Sequence, residues 1–140
     1  MVDLMELAER VEALSGTNHE IDSLIGAAVG LKYRILRDGS GRGKGMEWLE
    51  DGHGVETWAP HAPRYTASLD AAMTLVPEGC GWLTGWGQTR PDEPMGGARI
   101  TRNARFVGYR ENYDEIAVGE AATPALALCA AALRARASNG

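Results

Sequence analysis

The sequence predicts an α+β fold, a single layered α/β sandwich in which helices pack on a small, mainly antiparallel sheet. Apolar residues recur at helical spacing in four segments, and one central segment alternates with a period of two. The order along the chain is three helices, then strands, then a final helix. A chain of 140 residues can bury its own core. We therefore expect one domain, residues 1–140.

Two helices are predicted at the N-terminus. The first has an apolar face formed by Leu4, Leu7, Val11 and Leu14. It ends at Ser15-Gly16, because glycine readily takes the left-handed conformation after a last turn. Thr17 and Glu20 then have the spacing of a capping box for a second helix. That helix presents Ile21, Leu24, Ile25 and Ala28.

Residues 31–64 are predicted to form a variable or flexible excursion, because two prolines and a glycine cluster interrupt them. Short strands are predicted within 31–36 and 53–58, the first with a helix tail as the alternative. The glycine-rich loop 38–45 does not fit a phosphate-binding motif. A Walker A loop requires glycine where Asp38 stands and Ser or Thr where Gly45 stands.

The third helix and the first strand of the main sheet follow. The helix has the apolar pattern Leu69, Ala72, Met73 and Val76. Thr66 or Ser68 caps it, and residues 77–79 end it. Residues 80–88 then alternate as a strand does, with one face formed by Trp82, Thr84, Trp86 and Gln88.

Further strands are predicted within 98–109, with an interruption at Arg102-Asn103, and within 114–118. The last helix begins with Thr123 as its cap and Pro124 at the first helical position, where proline costs least. Its apolar face comprises Leu126, Cys129, Ala130, Leu133 and Ala137. The many alanines favour close packing against a sheet.

Composition excludes several classes of protein. The net charge of −5 argues against a general binder of nucleic acid or of anionic membranes. The N-terminus lacks the basic start and apolar region of a secretory signal, so we expect a cytoplasmic protein without membrane association. Cys80 and Cys129 are then expected to be free thiols.

The sequence presents no catalytic set, and we expect no metal and no cofactor. His53 and His61 lie eight residues apart among acidic residues, without helical i, i+4 spacing and without a Cys-x-x-Cys pair. Ser68 is not in a nucleophile elbow. An enzyme with its site in residues 45–65 is the remaining enzymatic alternative.

A cluster of arginines is the best candidate binding feature. It contains no acidic residue and comprises Arg99, Arg102, Arg105 and Arg110. With Trp82 and Trp86 as aromatic neighbours, such a strand face can bind phosphates or single-stranded nucleic acid. The structural alternative, which we favour, is a set of edge-strand charges or ion pairs with the acidic N-terminal helix.

Residues 65–79 (YTASLDAAMTLVPEG) and 121–135 (AATPALALCAAALRA) resemble a family of small phage and prophage proteins, described as the phage α-β-α sandwich domain. The similarity covers residues 3–30, 65–88 and 114–136, and residues 31–64 fit it poorly. The family occurs in tailed phages and in prophages of alphaproteobacteria. The resemblance implies a layered fold and a bacterial host cell, and it implies no activity and no catalytic residues.

These observations predict a non-enzymatic phage accessory protein that binds another protein or itself. A nucleic-acid-associated protein that uses the arginine-bearing strands is the second hypothesis. A small enzyme is the third.

Overall fold

The computed structural model describes residues 3–36, 45–50, 56–59, 61–87, 95–107 and 110–139. These residues contain four helices: α1 (Leu4–Glu12), α2 (His19–Ala28), α3 (Leu69–Met73) and α4 (Pro124–Asn139). They also contain six strands: β1 (Tyr33–Leu36), β2 (Gly45–Glu50), β3 (Glu56–Ala59), β4 (Gly81–Trp86), β5 (Gly96–Val107) and β6 (Arg110–Ala121). The strands form two antiparallel sheets, β1–β2–β3 and β4–β5–β6. Helices pack against the β4–β5–β6 sheet, which confirms the predicted α+β fold.

Helix α4 lies at the centre of the fold. Every residue from Ala125 to Leu133 is buried. The helix contacts all three strands of the β4–β5–β6 sheet as well as α1 and α3. The predicted apolar face is buried at Leu126, Cys129, Ala130 and Leu133, and burial extends around the rest of the helix. A helix that packs on a sheet and on other helices is apolar on all sides. The molecule is layered as sheet, central helix and outer helices.

Glycines let the sheet approach α4 closely. A Cβ atom at Gly119 of β6 would lie 2.1 Å from the carbonyl oxygen of Ala127. A Cβ atom at Gly96 of β5 would lie 2.3 Å from the carbonyl carbon of Thr123. Both strands consequently touch the helix backbone, as the alanine-rich sequence of α4 predicts.

The helix caps are mostly those predicted. The Ser68 hydroxyl accepts from the Ala71 amide at 3.3 Å, and the Thr123 hydroxyl accepts from the Leu126 amide at 3.2 Å. The capping box at Thr17 was wrong. Helix α2 begins at His19, so Asn18 is its cap, and the Asn18 side chain accepts from the Ile21 amide at 2.9 Å.

Residues 31–64 contain more regular structure than the sequence predicts. Strand β1 falls inside the first predicted short strand, and β3 overlaps the second and extends to Ala59. Strand β2 lies between them. Trp48 of β2 is fully buried. Its ring lies where a Cβ atom at Gly26 of α2 would stand, 2.8 Å from Cζ3. Gly26 therefore makes room for a tryptophan from the second sheet.

The interruption predicted at Arg102-Asn103 is present. The register of β5 against β6 shifts between Arg102 and Arg105. Asn103 has a φ of 56°, a left-handed conformation that asparagine tolerates better than most residues. The regular pairing of β5 with β6 is thus interrupted at this point.

Candidate functional site

An ion pair closes the outer edge of β6. Arg134 of α4 donates to the Val118 carbonyl at 3.0 Å and to the Glu12 carboxylate at 2.8 Å. The same carboxylate accepts from the Glu120 amide at 2.9 Å. Since Val118 and Glu120 are two residues apart on an edge strand, these outward backbone groups are the ones that another strand would use. At Val118 and Glu120 the edge of β6 is therefore occupied from within the chain.

The environment keeps the Glu12 carboxylate ionised. The hydrogen bond from Arg134 lowers the pKa of Glu12, and the Glu120 amide contributes in the same direction against the effect of burial. The hydrogen bond also raises the pKa of Arg134. No pattern in the sequence predicts this pair, because Glu12 and Arg134 are 122 positions apart. The acidic N-terminal helix pairs with Arg134 through Glu12, and Arg99 of the arginine cluster pairs with Glu115 of β6.

The hydrogen-bond pattern of β4 fixes which backbone groups face its free edge. The Gly87 amide donates to the Met95 carbonyl at 2.7 Å. Hydrogen-bonded and non-hydrogen-bonded pairs alternate along an antiparallel ladder, and β4 runs in continuous register with β5. The N–H and carbonyl groups of Trp82, Thr84 and Trp86 therefore point away from β5. Within the described part of the chain, no backbone or side-chain group bonds to them.

The sequence of β4 lacks the features that usually protect an edge strand. It reads GWLTGW, with no charged residue and no proline, and its pairing with β5 contains no bulge. The Thr84 hydroxyl is already used, because it donates to the Gly97 carbonyl at 2.9 Å. The groups left to bond with another strand at this edge are consequently the backbone N–H and carbonyl groups.

The face of the β4–β5–β6 sheet opposite α4 carries exposed apolar residues beside the charged residues Arg99 and Glu120. Leu83 and Val118 are 42% and 37% exposed and flank Arg99 in one row across the three strands. Around this row lies a shallow concavity of about 300 Å³. Arg99 donates to the Tyr113 hydroxyl at 3.0 Å and lies 3.5 Å from the Glu115 carboxylate.

A pocket lies beside the end of β4. Trp86 is 64% exposed and forms one wall of a cavity of about 450 Å³, which we call the Trp86 pocket. Other lining residues lie at or just before the starts of α2, α3 and α4: Thr17, Thr66, Leu69, Thr123, Pro124 and Ala125. The pocket thus combines an exposed aromatic ring with apolar side chains and hydroxyl groups.

The two predicted tryptophans differ in how far they are exposed. Trp82 and Trp86 share one face of β4, as the alternation predicts. Trp82 is half-buried against the core, whereas Trp86 is exposed. Only Trp86 is therefore placed to contact a ligand with most of its ring.

The predicted arginines do not behave as one group. Arg99 is bonded to its neighbours as described above, and Arg102 is half-buried and donates to the Cys80 sulfur at 3.6 Å. Arg105 and Arg110 lie on β5 and β6, and their side chains lie outside the described part. No contact singles out a phosphate site in the described residues, and nucleic-acid binding stays a prediction.

A buried carboxylate fixes the segment that precedes α3. Asp22 is 1% exposed, and its Oδ1 accepts from the Thr66 amide at 2.8 Å. Its Oδ2 has no hydrogen-bond partner among the described residues and lies 3.8 Å from His19 Nδ1. Burial raises the pKa of Asp22. This contact holds Thr66 in place as part of the Trp86 pocket.

The buried thiol of Cys129 is not activated for chemistry. The prediction of two free cysteines is confirmed. Cys129 is buried and its Sγ donates to the Tyr65 carbonyl at 3.0 Å. Burial raises the pKa of the Cys129 thiol far above its ordinary value, so the reactive thiolate does not form near neutral pH.

Of the predicted histidine pair, only His61 lies among the described residues. His53 lies outside the described residues. The ring of His61 stacks on that of His19, with centroids 4.9 Å apart. Over the described ranges no group of three or more His, Cys, Asp or Glu side chains could hold a metal ion. The hypothesis of an enzyme site in residues 45–65 therefore stays a prediction.

No protein-family model, curated protein or solved structure matches this chain. The phage family therefore stays a prediction from the residues that resemble it. Among the described helices, none combines the length and the apolar character that crossing a membrane requires.

Proposed function

We propose that this protein is a non-enzymatic interaction module that binds another protein through the β4–β5–β6 sheet. The observation that carries the proposal is where apolar side chains are exposed. Four of the large exposed apolar residues lie in or directly beside this sheet: Leu83, Trp86, Met95 and Val118. Leu83 and Val118 lie together on the face opposite α4, and Trp86 is exposed beside the start of α4. Single exposed apolar residues are ordinary, whereas several gathered around one sheet are typical of an interaction site.

The buried ionisable side chains have structural roles and not catalytic ones. Asp22 holds the Thr66 amide, and Cys129 is protonated in the core. Catalytic groups need a pKa matched to their task and access to a substrate. Because Cys129 is buried, it has neither a suitable pKa nor access to a substrate.

The origin of the protein belongs to the same proposal. The resemblance of residues 65–79 and 121–135 supports an accessory protein of a phage or prophage in the cytoplasm of a bacterial host. A host protein is then the natural partner, and a second copy of the chain is the alternative that the experiment must separate.

Site-specific photo-crosslinking in the organism that encodes the chain tests the proposal. A photoreactive phenylalanine analogue replaces Trp86, and two control chains carry it at Met5 or Met73, which are exposed on helices α1 and α3. We expect one discrete adduct with another protein from position 86 and none from positions 5 and 73. Excess wild-type chain should compete for the adduct, and excess Trp86→Ala chain should not.

Equal adducts at all three positions, or none at position 86, would contradict the proposal. An adduct with nucleic acid would favour the arginine hypothesis instead. An adduct of twice the mass of the chain would identify self-association.

A further inference from the structure

We propose that the partner contributes an extended segment that binds as an additional antiparallel or parallel strand on the edge of β4, with one apolar or aromatic side chain in the Trp86 pocket. This inference rests on the proposed function, and it specifies the surface and the chemistry of the bound segment.

The backbone of β4 is set up for such pairing. Trp82, Thr84 and Trp86 present their N–H and carbonyl groups outward at every second residue. An added strand uses this pattern, because main-chain hydrogen bonds to a sheet edge form at alternate residues. The absence of charge and proline in β4 leaves nothing to repel the strand.

The Trp86 pocket supplies the selectivity that backbone pairing lacks. Residues paired across two strands carry their side chains on the same face of a sheet. The residue of the bound segment opposite Trp86 therefore carries its side chain toward the pocket that Trp86 lines. Leu69, Pro124 and Ala125 favour an apolar or aromatic side chain there.

The dimensions favour a peptide segment over a second copy of the chain. At about 3.4 Å per residue, the six residues of β4 offer an edge of about 20 Å. Pairing two such edges joins only two strands over about 20 Å, whereas specific protein–protein interfaces bury roughly 1,200 Å² or more. A single extended segment needs only this edge and the pocket beside it.

The opposite edge of the same sheet cannot accept the segment in the same way. Glu12 and Arg134 already bond to the outward groups of Glu120 and Val118. Within the part of the chain that the structure describes, the edge of β4 is thus the one whose outward groups are unbonded.

Peptide selection followed by amide exchange tests the inference on the full chain. Random linear 12-residue peptides displayed on phage are selected against the immobilised wild-type protein, and each recovered peptide is synthesised as the probe. We expect the peptide to slow amide exchange at Trp82, Thr84 and Trp86 and to leave Leu83 and Gly85 unchanged. Trp86→Ala should weaken its affinity about tenfold or more, and Met5→Ala should not.

Peptides that perturb Leu83, Arg99 and Val118 without protecting the edge amides would overturn this inference and leave the proposed function standing. Failure to recover any peptide would overturn it too, while the adduct at position 86 tests the proposed function separately. If protection of the three amides rises with protein concentration in the absence of peptide, a second copy of the chain binds this edge. That result would overturn the proposal of a peptide segment. Loss of both the adduct and the peptide would remove both proposals.

Discussion

The two edge strands of the β4–β5–β6 sheet differ in whether their outward backbone groups are hydrogen-bonded. At β6, Glu12 and Arg134 bond to the outward backbone groups and tie the strand to α1 and α4. At β4, three outward pairs of backbone groups have no partner among the described residues, and an exposed tryptophan stands beside them. Edge strands risk uncontrolled pairing. A chain that closes one edge and leaves the other open therefore points to use of the open one.

The largest expected effect comes from the packing of β6. In Gly119→Ala the new Cβ would stand 2.1 Å from the Ala127 carbonyl oxygen and 2.9 Å from the Ala131 nitrogen. Because backbone on both sides must move, we expect a loss of about 3 kcal/mol in the free energy of unfolding. Urea denaturation followed by circular dichroism measures it.

Gly85→Ala on β4 is the matched control, since no atom lies within 4 Å of its Cβ position. We expect a change within about 0.5 kcal/mol. Equal stability of the two variants would contradict the close contact between β6 and α4.

The second effect concerns the hydrogen bonds of Glu12 and Arg134 to each other and to the edge of β6, which we call the β6 lock. Glu12→Ala removes hydrogen bonds to Arg134 and to the Glu120 amide, and we expect a loss of about 2 kcal/mol. The freed edge should also cause concentration-dependent association, visible by analytical ultracentrifugation. Glu115→Ala is the control, because the Glu115 and Arg99 side chains are about half exposed and such pairs contribute little. A Glu12→Ala protein as stable and as monomeric as the control would show that the lock is dispensable.

A smaller effect is the pH dependence of the same lock. The pKa of Glu12 is lowered in the folded protein, so its contribution is present above the ordinary value of 4.5 and is lost as the pH falls through the folded value. The stability difference between wild type and Glu12→Gln should be constant from pH 7 to about 5 and shrink toward pH 3. Denaturation of both proteins across this range measures the difference. A gap that stays constant down to pH 3 would argue against the ion pair.

The smallest effect on stability is expected at the open edge. Trp86 is mostly exposed, so Trp86→Ala should change the free energy of unfolding by no more than about 0.5 kcal/mol. Trp82→Ala, on the same face of β4, should cost clearly more because Trp82 packs on the core. Thermal unfolding compares the two. Equal losses in the free energy of unfolding would mean that Trp86 packs on the fold as Trp82 does and is not left exposed for a ligand.

Local sequence signals predicted much of the fold. Thr123 and Pro124 marked the start of α4, and the alternation from Trp82 to Trp86 marked β4, because caps and strand periods depend on neighbouring residues. The choice between Thr17 and Asn18 as the cap of α2 failed, since both side chains can accept from a helix amide.

The candidate site was predictable only in part. Trp86 was among the candidate residues, but exposure distinguishes it from Trp82, and exposure depends on where the helices pack. The lock between Glu12 and Arg134 joins distant parts of the chain and leaves no pattern in the sequence. Trp48 and Gly26 meet for the same reason, as two elements brought together by the fold.

Residue-resolved amide exchange on the free protein tests the contrast between the two edges most directly. At low protein concentration we expect slow exchange at Gly81, Leu83 and Gly85, whose amides bond to β5, and at Glu120, whose amide bonds to Glu12. Exchange at Trp82, Thr84 and Trp86 should approach that of an unstructured peptide. Slow exchange at these three amides in the dilute, unbound protein would show that the edge of β4 is covered and would contradict the account.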